Sequence, residues 1–317
     1  MALMPPQDAM FLYAERRQQP THVGGLQLFT TPEGAGPDWL SEQYWKVLEQ
    51  PVTDRRFTRR ARRSPTALGQ WEWVDDDAFD AEYHVRHSAI ARPGRIRELL
   101  ALTSRLHGNL LDRRRPLWEA NLIEGLDDGR FAVYTKVHHA MVDGVAAMRL
   151  LQDTLSEDPD DRDVRMPWSR EIEEKESRPG PGLSPSRLFQ MGYDVISDAF
   201  GVTAATVTSI LRSLEEEAAT LPFQAPNSML NVPITGARRF AAQSYEIDRM
   251  LAVKNALGIT INDVVLAMSA GALRNHLLDL DALPDKPLIA MVPVSLRSAD
   301  EAGAGGNSVG LILCNLG

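Results

Sequence analysis

Two adjacent histidines, His138 and His139, are followed by Ala140, Met141, Val142, Asp143 and Gly144. A neutral imidazole carries an acceptor nitrogen and titrates near neutral pH, which suits it to take a proton from an alcohol. Successive side chains on a strand point to opposite faces, so only one of the two rings can look into a given cleft. Asp143 reads as the partner of a basic residue that fixes the turn. Gly144 permits tight backbone geometry where a helix begins. No Gly-x-Ser-x-Gly elbow supplies a nucleophile here, so the base would activate the substrate's own hydroxyl and no acyl-enzyme would form. Zinc is a weak reading, because no distant Cys/His pair completes a ligand set.

These residues need a strand to deliver them and a helix to leave them. The segment 130–138 alternates, with Phe131, Val133, Thr135 and Val137 against Ala132, Tyr134 and Lys136, which predicts a strand with one mainly apolar face in a half-covered sheet. Val145, Met148, Leu151 and Leu155 then recur at helical spacing. Strands are also expected at 21–29, 71–74 and 117–124, and helices at 39–50 and 96–110. Residues 157–186 are acidic, then rich in Pro, Gly and Ser, and read as a linker or exposed excursion. Residues 187–220 are helical in pattern. A second α/β segment opens near Arg238, with a strand at 241–247, helices at 249–257 and 262–278, and strands at 288–293 and 309–314. The expected division is 1–165 for an N-terminal domain carrying the histidines, 166–237 for a linker and helical crossover, and 238–317 for the start of a C-terminal domain. At roughly 80 residues that last piece is small for an independent core, which reads as a fragment of a longer protein.

Composition narrows the function. The 317 residues exceed what one core usually holds, so two domains are expected. A formal charge of −9, with no basic stripe interleaved with aromatics, argues against nucleic acid. The one basic cluster, Arg55, Arg56, Arg59, Arg60, Arg62 and Arg63, reads first as a solvated face; anionic lipid or a phosphate-bearing cofactor is the other reading. Cys314 is the only cysteine, so no intrachain disulfide or thiolate cluster is expected and a reducing compartment is the simpler reading. No signal peptide is read at the N-terminus, and no run of about 18 apolar residues predicts a transmembrane helix.

The motif His138-His139-x-x-x-Asp143-Gly144 resembles the active-site signature of the chloramphenicol acetyltransferase-like superfamily. Further segments resemble the bacterial wax ester synthase/acyl-CoA:diacylglycerol acyltransferase family: Pro116-Leu117-Trp118-Glu119, Ala225-Pro226-Asn227, residues 230–236, Arg238-Arg239-Phe240, Asn262-Asp263-Val264-Val265, residues 292–297, and Gly306-Asn307. The likeness runs from near Asp8 to Gly317. It implies an α/β fold of two chloramphenicol acetyltransferase-like domains with a tunnel between them, the second truncated in this chain. It implies an O-acyltransferase that moves a fatty acyl group from acyl-CoA to diacylglycerol or a long-chain alcohol, with no metal and no cofactor beyond that co-substrate. His139 matches the family's base, with His138, Asp143 and Gly144 shaping the site. Asn262 matches a motif residue suited to oxyanion stabilisation or substrate placement, and Arg297 is the expected ion-pair partner of Asp143. A cytoplasmic protein held peripherally at a membrane or lipid-droplet surface is implied, as is a complementary C-terminal segment.

Several residues carry two readings. Thr260 to Asp263 fits a helix capping box, which for Asp263 stands ahead of substrate binding. Pro116, Leu117 and Trp118 suit a tunnel wall or a core equally. His22 suits the core at least as well as a ligand contact, and His84 and His87 read as surface or interdomain residues. A related acyltransferase using a carrier-bound acyl group or a polyketide alcohol, and a non-catalytic lipid-binding scaffold, are the alternative functions.

Overall fold

The computed structural model describes residues 2–142, 144–158, 161, 165–169, 225–295 and 309–316. The expected helix at 187–220, the Pro-rich stretch, Asp143, Arg297, Gly306 and Asn307 lie outside the described residues. Two compact units are present. One holds described residues 2–169 and 235–241; the other holds 225–234, 242–295 and 309–316.

The first unit contains, in chain order, β1 (Ala2–Leu3), α1 (Pro6–Ala14), β2 (His22–Thr30), α2 (Trp39–Glu49), β3 (Arg59–Arg63), β4 (Trp71–Asp75), α3 (Ala81–His84), β5 (Val85–Ala89), α4 (Ile96–Gly108), β6 (Trp118–Glu124), β7 (Arg130–His138) and α5 (Gly144–Gln152). Its main sheet has the order β2-β7-β6-β5. β5 and β6 run parallel and the other pairs antiparallel. A parallel pair needs a crossover, and α4 supplies it. Helix α4 turns Leu99, Leu102, Thr103 and Leu106 inward at helical spacing, and its leucines pack on Ile123, Ala132 and Tyr134. The opposite face, with Trp118, Ala120 and Val137, packs on Tyr44, Val47 and Leu48 of α2 and on Ala147 and Leu150 of α5. A small sheet of order β1-β4-β3 stands apart.

Both faces of the main sheet are therefore covered, which corrects the half-covered expectation. The correction is sharper on β7. Its fully buried residues are Ala132, Tyr134, Lys136 and His138, the more polar set. That face is affordable because its polar groups find one another. Lys136 stands opposite Glu119 in the β6–β7 register, and its ammonium meets that carboxylate at 2.7 Å. It also donates to the carbonyls of Leu106 and Asn109 at 2.7 and 3.0 Å, at the C-terminal end of α4. Those carbonyls lie in the last turn of the helix, where acceptors are left over, and carry the negative end of its dipole.

The second unit contains α6 (Ile247–Leu257), α7 (Ile261–Asp279), β8 (Ile289–Ser295) and β9 (Val309–Asn315). Gly258, at φ +65°, closes α6 in the left-handed conformation. β8 and β9 pair antiparallel, with Ile289 opposite Asn315. The expected strand at 241–247 is absent: residues 241–246 have no regular structure and Ile247 begins a helix. Alternation specifies faces but not a neighbour, and among the described residues no strand pairs with this segment. Arg238 and Phe240, just before it, are tied instead to the Gln18 carbonyl and the Ser104 hydroxyl. Among the described residues no single helix is long and apolar enough to cross a membrane; α6 and α7 pass that test only together and are bent by 106°.

Candidate active site

The histidines sit where β7 ends. Its position inside the sheet lets both neighbours hold the turn. The His138 amide donates to the Leu117 carbonyl and the His139 amide to the Thr21 carbonyl, each at 2.9 Å. The Met141 amide then closes onto the His138 carbonyl. Gly144 follows as the first residue of α5.

His138 is wholly buried. Its Nδ1 accepts from the Ala140 amide at 3.0 Å, so the neutral ring carries its proton on Nε2. Nε2 faces the Thr21 hydroxyl at 3.0 Å and the Glu15 carboxylate at 3.5 Å. The Thr21 hydroxyl passes its own proton to the Phe11 carbonyl. Both nitrogens of His138 are engaged. His139, one residue on, is only partly buried, and its ring lies face to face with Phe11, centroids 4.6 Å apart.

Behind His138, Arg113 holds Glu15 with Nε and Nη2 at 3.2 and 2.9 Å, and Nη2 also donates to the Leu12 carbonyl. Burial alone would raise the Glu15 carboxyl. His138, the Arg113 guanidinium and the Thr21 amide outweigh it and bring the pKa to about 2. Glu15, Arg113, Thr21 and Phe11 were not legible as site residues. The available signal was an acid three residues after Leu12, at the C-terminal cap of α1.

Pro116, Leu117 and Trp118 are all buried in the core. The Trp118 indole donates to the Phe57 carbonyl at 2.9 Å and lies against Trp168 and His84, each with centroids 4.6 Å away. His84 is fully buried, with Nδ1 at 2.8 Å from the Trp118 carbonyl, which corrects its reading as a surface residue. Burial lowers its pKa, so it remains a neutral packing group. His87 is partly buried against Tyr44. His22 is also buried, its Nε2 donating to the His107 carbonyl at 2.7 Å. In the second unit Thr260 and Asp263 form the capping box: the Asp263 amide donates to the Thr260 hydroxyl and the Thr260 amide to the Asp263 carboxylate. Those bonds hold the Asp263 carboxyl below its ordinary range. Asn262 is exposed in the first turn of α7.

The arginine cluster is not a bare cationic face. Arg55 and Arg59 meet Asp75, Arg56 meets Asp54, Arg60 meets Asp76 and Arg62 meets Glu72. Arg63 lies over the rings of Tyr13 and Trp71. The β3–β4 register produces much of this, placing Arg59 opposite Asp75 and Arg62 opposite Glu72. Among the described residues no three His, Cys, Asp or Glu side chains are grouped to hold a metal ion.

A histidine turn at the end of an inner strand, on a mixed α/β sheet covered on both faces, is the arrangement of an acyltransferase of the chloramphenicol acetyltransferase-like superfamily. Residues 4–265 match the wax ester synthase/diacylglycerol acyltransferase catalytic domain. A probable diacylglycerol O-acyltransferase of Mycobacterium tuberculosis is 52% identical over all of this chain and 69% of its own length. The O-acyltransferase WSD of Acinetobacter baylyi is 41% identical over 98% of this chain and 67% of its own. The solved wax ester synthase/diacylglycerol acyltransferase of Marinobacter aquaeolei VT8 superposes with a TM-score of 0.70 at 42% identity, over 92% of this chain and 65% of that one. The chain belongs to the wax ester synthase/diacylglycerol acyltransferase family, and with it to the acyl-CoA-dependent O-acyltransferases.

Proposed function

We propose that this chain transfers a fatty acyl group from acyl-CoA to the hydroxyl of diacylglycerol, of a long-chain alcohol, or of both, with His139 as general base. The observation that carries the assignment is the unequal standing of the two histidines. His138 is fully buried with both nitrogens engaged, whereas His139 is partly exposed. His139 takes the proton from the acceptor hydroxyl as its oxygen attacks the thioester carbonyl. The tetrahedral adduct then expels the CoA thiolate, which takes the proton back from the imidazolium. The acyl group passes directly to oxygen, with acyl-CoA as co-substrate and no further cofactor in the scheme.

In this reading Asn262 serves the developing oxyanion or places the substrate, and Asp143 and Arg297 form an ion pair that shapes the turn. Residues 1–165 and 238–317 belong to two related domains that border a tunnel, joined through 166–237. The lipid acceptor suits a protein seated peripherally at a membrane or lipid-droplet surface facing the cytoplasm.

The test gives the purified protein labelled acyl-CoA with a long-chain alcohol and, in parallel, with diacylglycerol. His139→Ala is expected to cut ester formation by about 10²-fold or more while leaving the melting transition in place. Undiminished ester formation by that variant would remove His139 as the base. Consumption of carrier-bound acyl groups without neutral lipid would move the reading to the related carrier-dependent acyltransferases.

A further inference from the structure

The His139 ring does not stand by itself at the end of β7. The phenyl ring of Phe11 covers one of its faces, with centroids 4.6 Å apart and planes 10° from parallel. Phe11 comes from α1, an element outside the sheet. α1 is anchored by Ala9 and Leu12, which share a core with Leu117 and Ala140. One residue then fixes the two backbones together. Thr21 donates its hydroxyl proton to the Phe11 carbonyl at 3.0 Å and accepts the His139 amide on its own carbonyl at 2.9 Å. The clamp and the buried Leu12 hold the Phe11 backbone beside that of His139.

We infer that Phe11 is a positioning residue for His139, and that its π face stabilises the imidazolium formed during transfer. The inference rests on the His139 reading above. A phenyl face carries the negative part of the ring quadrupole and attracts a cation within about 6 Å of its centroid. A neutral imidazole gains mainly contact from the stack; an imidazolium gains the electrostatic attraction as well. During turnover the imidazolium forms as the acceptor hydroxyl loses its proton, so the added attraction grows toward the transition state. The charged groups tied to the same clamp are Glu15 and Arg113, paired with each other at 2.9 Å, and beside them stands His138 with both nitrogens engaged. None of these is altered by a change in the Phe11 ring.

The experiment places phenylalanine carrying one, two, then three fluorines at position 11 of the full chain. Fluorine drains the ring face with little change in shape. A stepwise fall in kcat is expected, reaching about 2- to 30-fold, with KM for acyl-CoA and for the alcohol held within about twofold. Phe11→Tyr and Phe11→Trp keep a ring face and are expected to stay near the parent kcat, while Phe11→Leu falls at least as far as the trifluoro ring. A flat fluorine series overturns the inference, since a purely steric support does not sense the ring's charge distribution. A readout that needs no turnover is the fluorine resonance of the singly labelled ring. It is expected to move with pH in the parent chain and to stand still in His139→Gln; a resonance indifferent to His139 overturns the stack itself. Full activity in His139→Ala would sink the base assignment, whereas an inactive His139→Ala with a flat fluorine series would sink only the role given to Phe11.

Discussion

His22 gives this protein an acid sensitivity set by its buried surroundings. The residue is 7% exposed, at the start of β2, with its ring against His107 of α4. Burial is the largest influence and lowers its pKa; the His107 carbonyl pulls the other way, and the Lys136 ammonium adds to the depression. The pKa falls from 6.5 to about 4. Below pH 6.5 the unfolded chain takes up a proton at His22 that the folded chain refuses. The unfolded state then binds more protons, so stability declines as pH falls. The contribution is fully present above pH 6.5, is reduced by about 2 kcal/mol at pH 5, and levels off near a loss of about 3 kcal/mol below pH 4. His22→Gln keeps a donor for the His107 carbonyl and does not titrate. Urea unfolding followed by tryptophan fluorescence reads the right unit, because Trp39, Trp45, Trp71, Trp73, Trp118 and Trp168 all belong to the first one. The parent is expected to lose about 2 kcal/mol more than His22→Gln between pH 7.5 and pH 5. His84, buried against Trp118 and away from His22, contributes equally to both proteins and cancels. If the two stability curves run parallel across that window, the depressed His22 pKa is refuted.

Two further perturbations address the polar core and the start of α7. Lys136→Met leaves the Glu119 carboxylate buried with Arg86 at 3.4 Å as its remaining cation and removes the donors from the α4 end. It is expected to cost about 3 to 5 kcal/mol in urea unfolding, and adding Glu119→Leu is expected to recover part of that loss. Thr260→Ala removes the hydroxyl that accepts the Asp263 amide, and is expected to cost about 1 kcal/mol of helix stability, read as faster hydrogen exchange confined to the first turn of α7.

The basic cluster shows how far composition alone carries an argument. Six arginines within nine residues read as a charged face because their type and order are local properties. Asp54 is local to Arg56, but Glu72, Asp75 and Asp76 come from the far side of a hairpin, and the pairing of β3 with β4 brings them near. The 241–247 segment failed in the other direction. Its alternation is a local property too, but a strand exists only where a neighbour accepts its hydrogen bonds.

What the amino-acid order determined by itself was the local and periodic content: the strand entering the histidines, the helix leaving them, the capping box at Thr260, and the paired-histidine motif that marks the family. The tertiary structure decided what depends on groups distant in the chain. Glu15 and Thr21, more than a hundred residues before His138, occupy that ring, and Phe11 covers the other. Lys136, which alternation assigned to the polar side of β7, is buried because Glu119 and the carbonyl end of α4 are there to receive it. Two neighbouring histidines are equivalent as letters. They differ once the fold has buried one of them completely and left the other partly exposed.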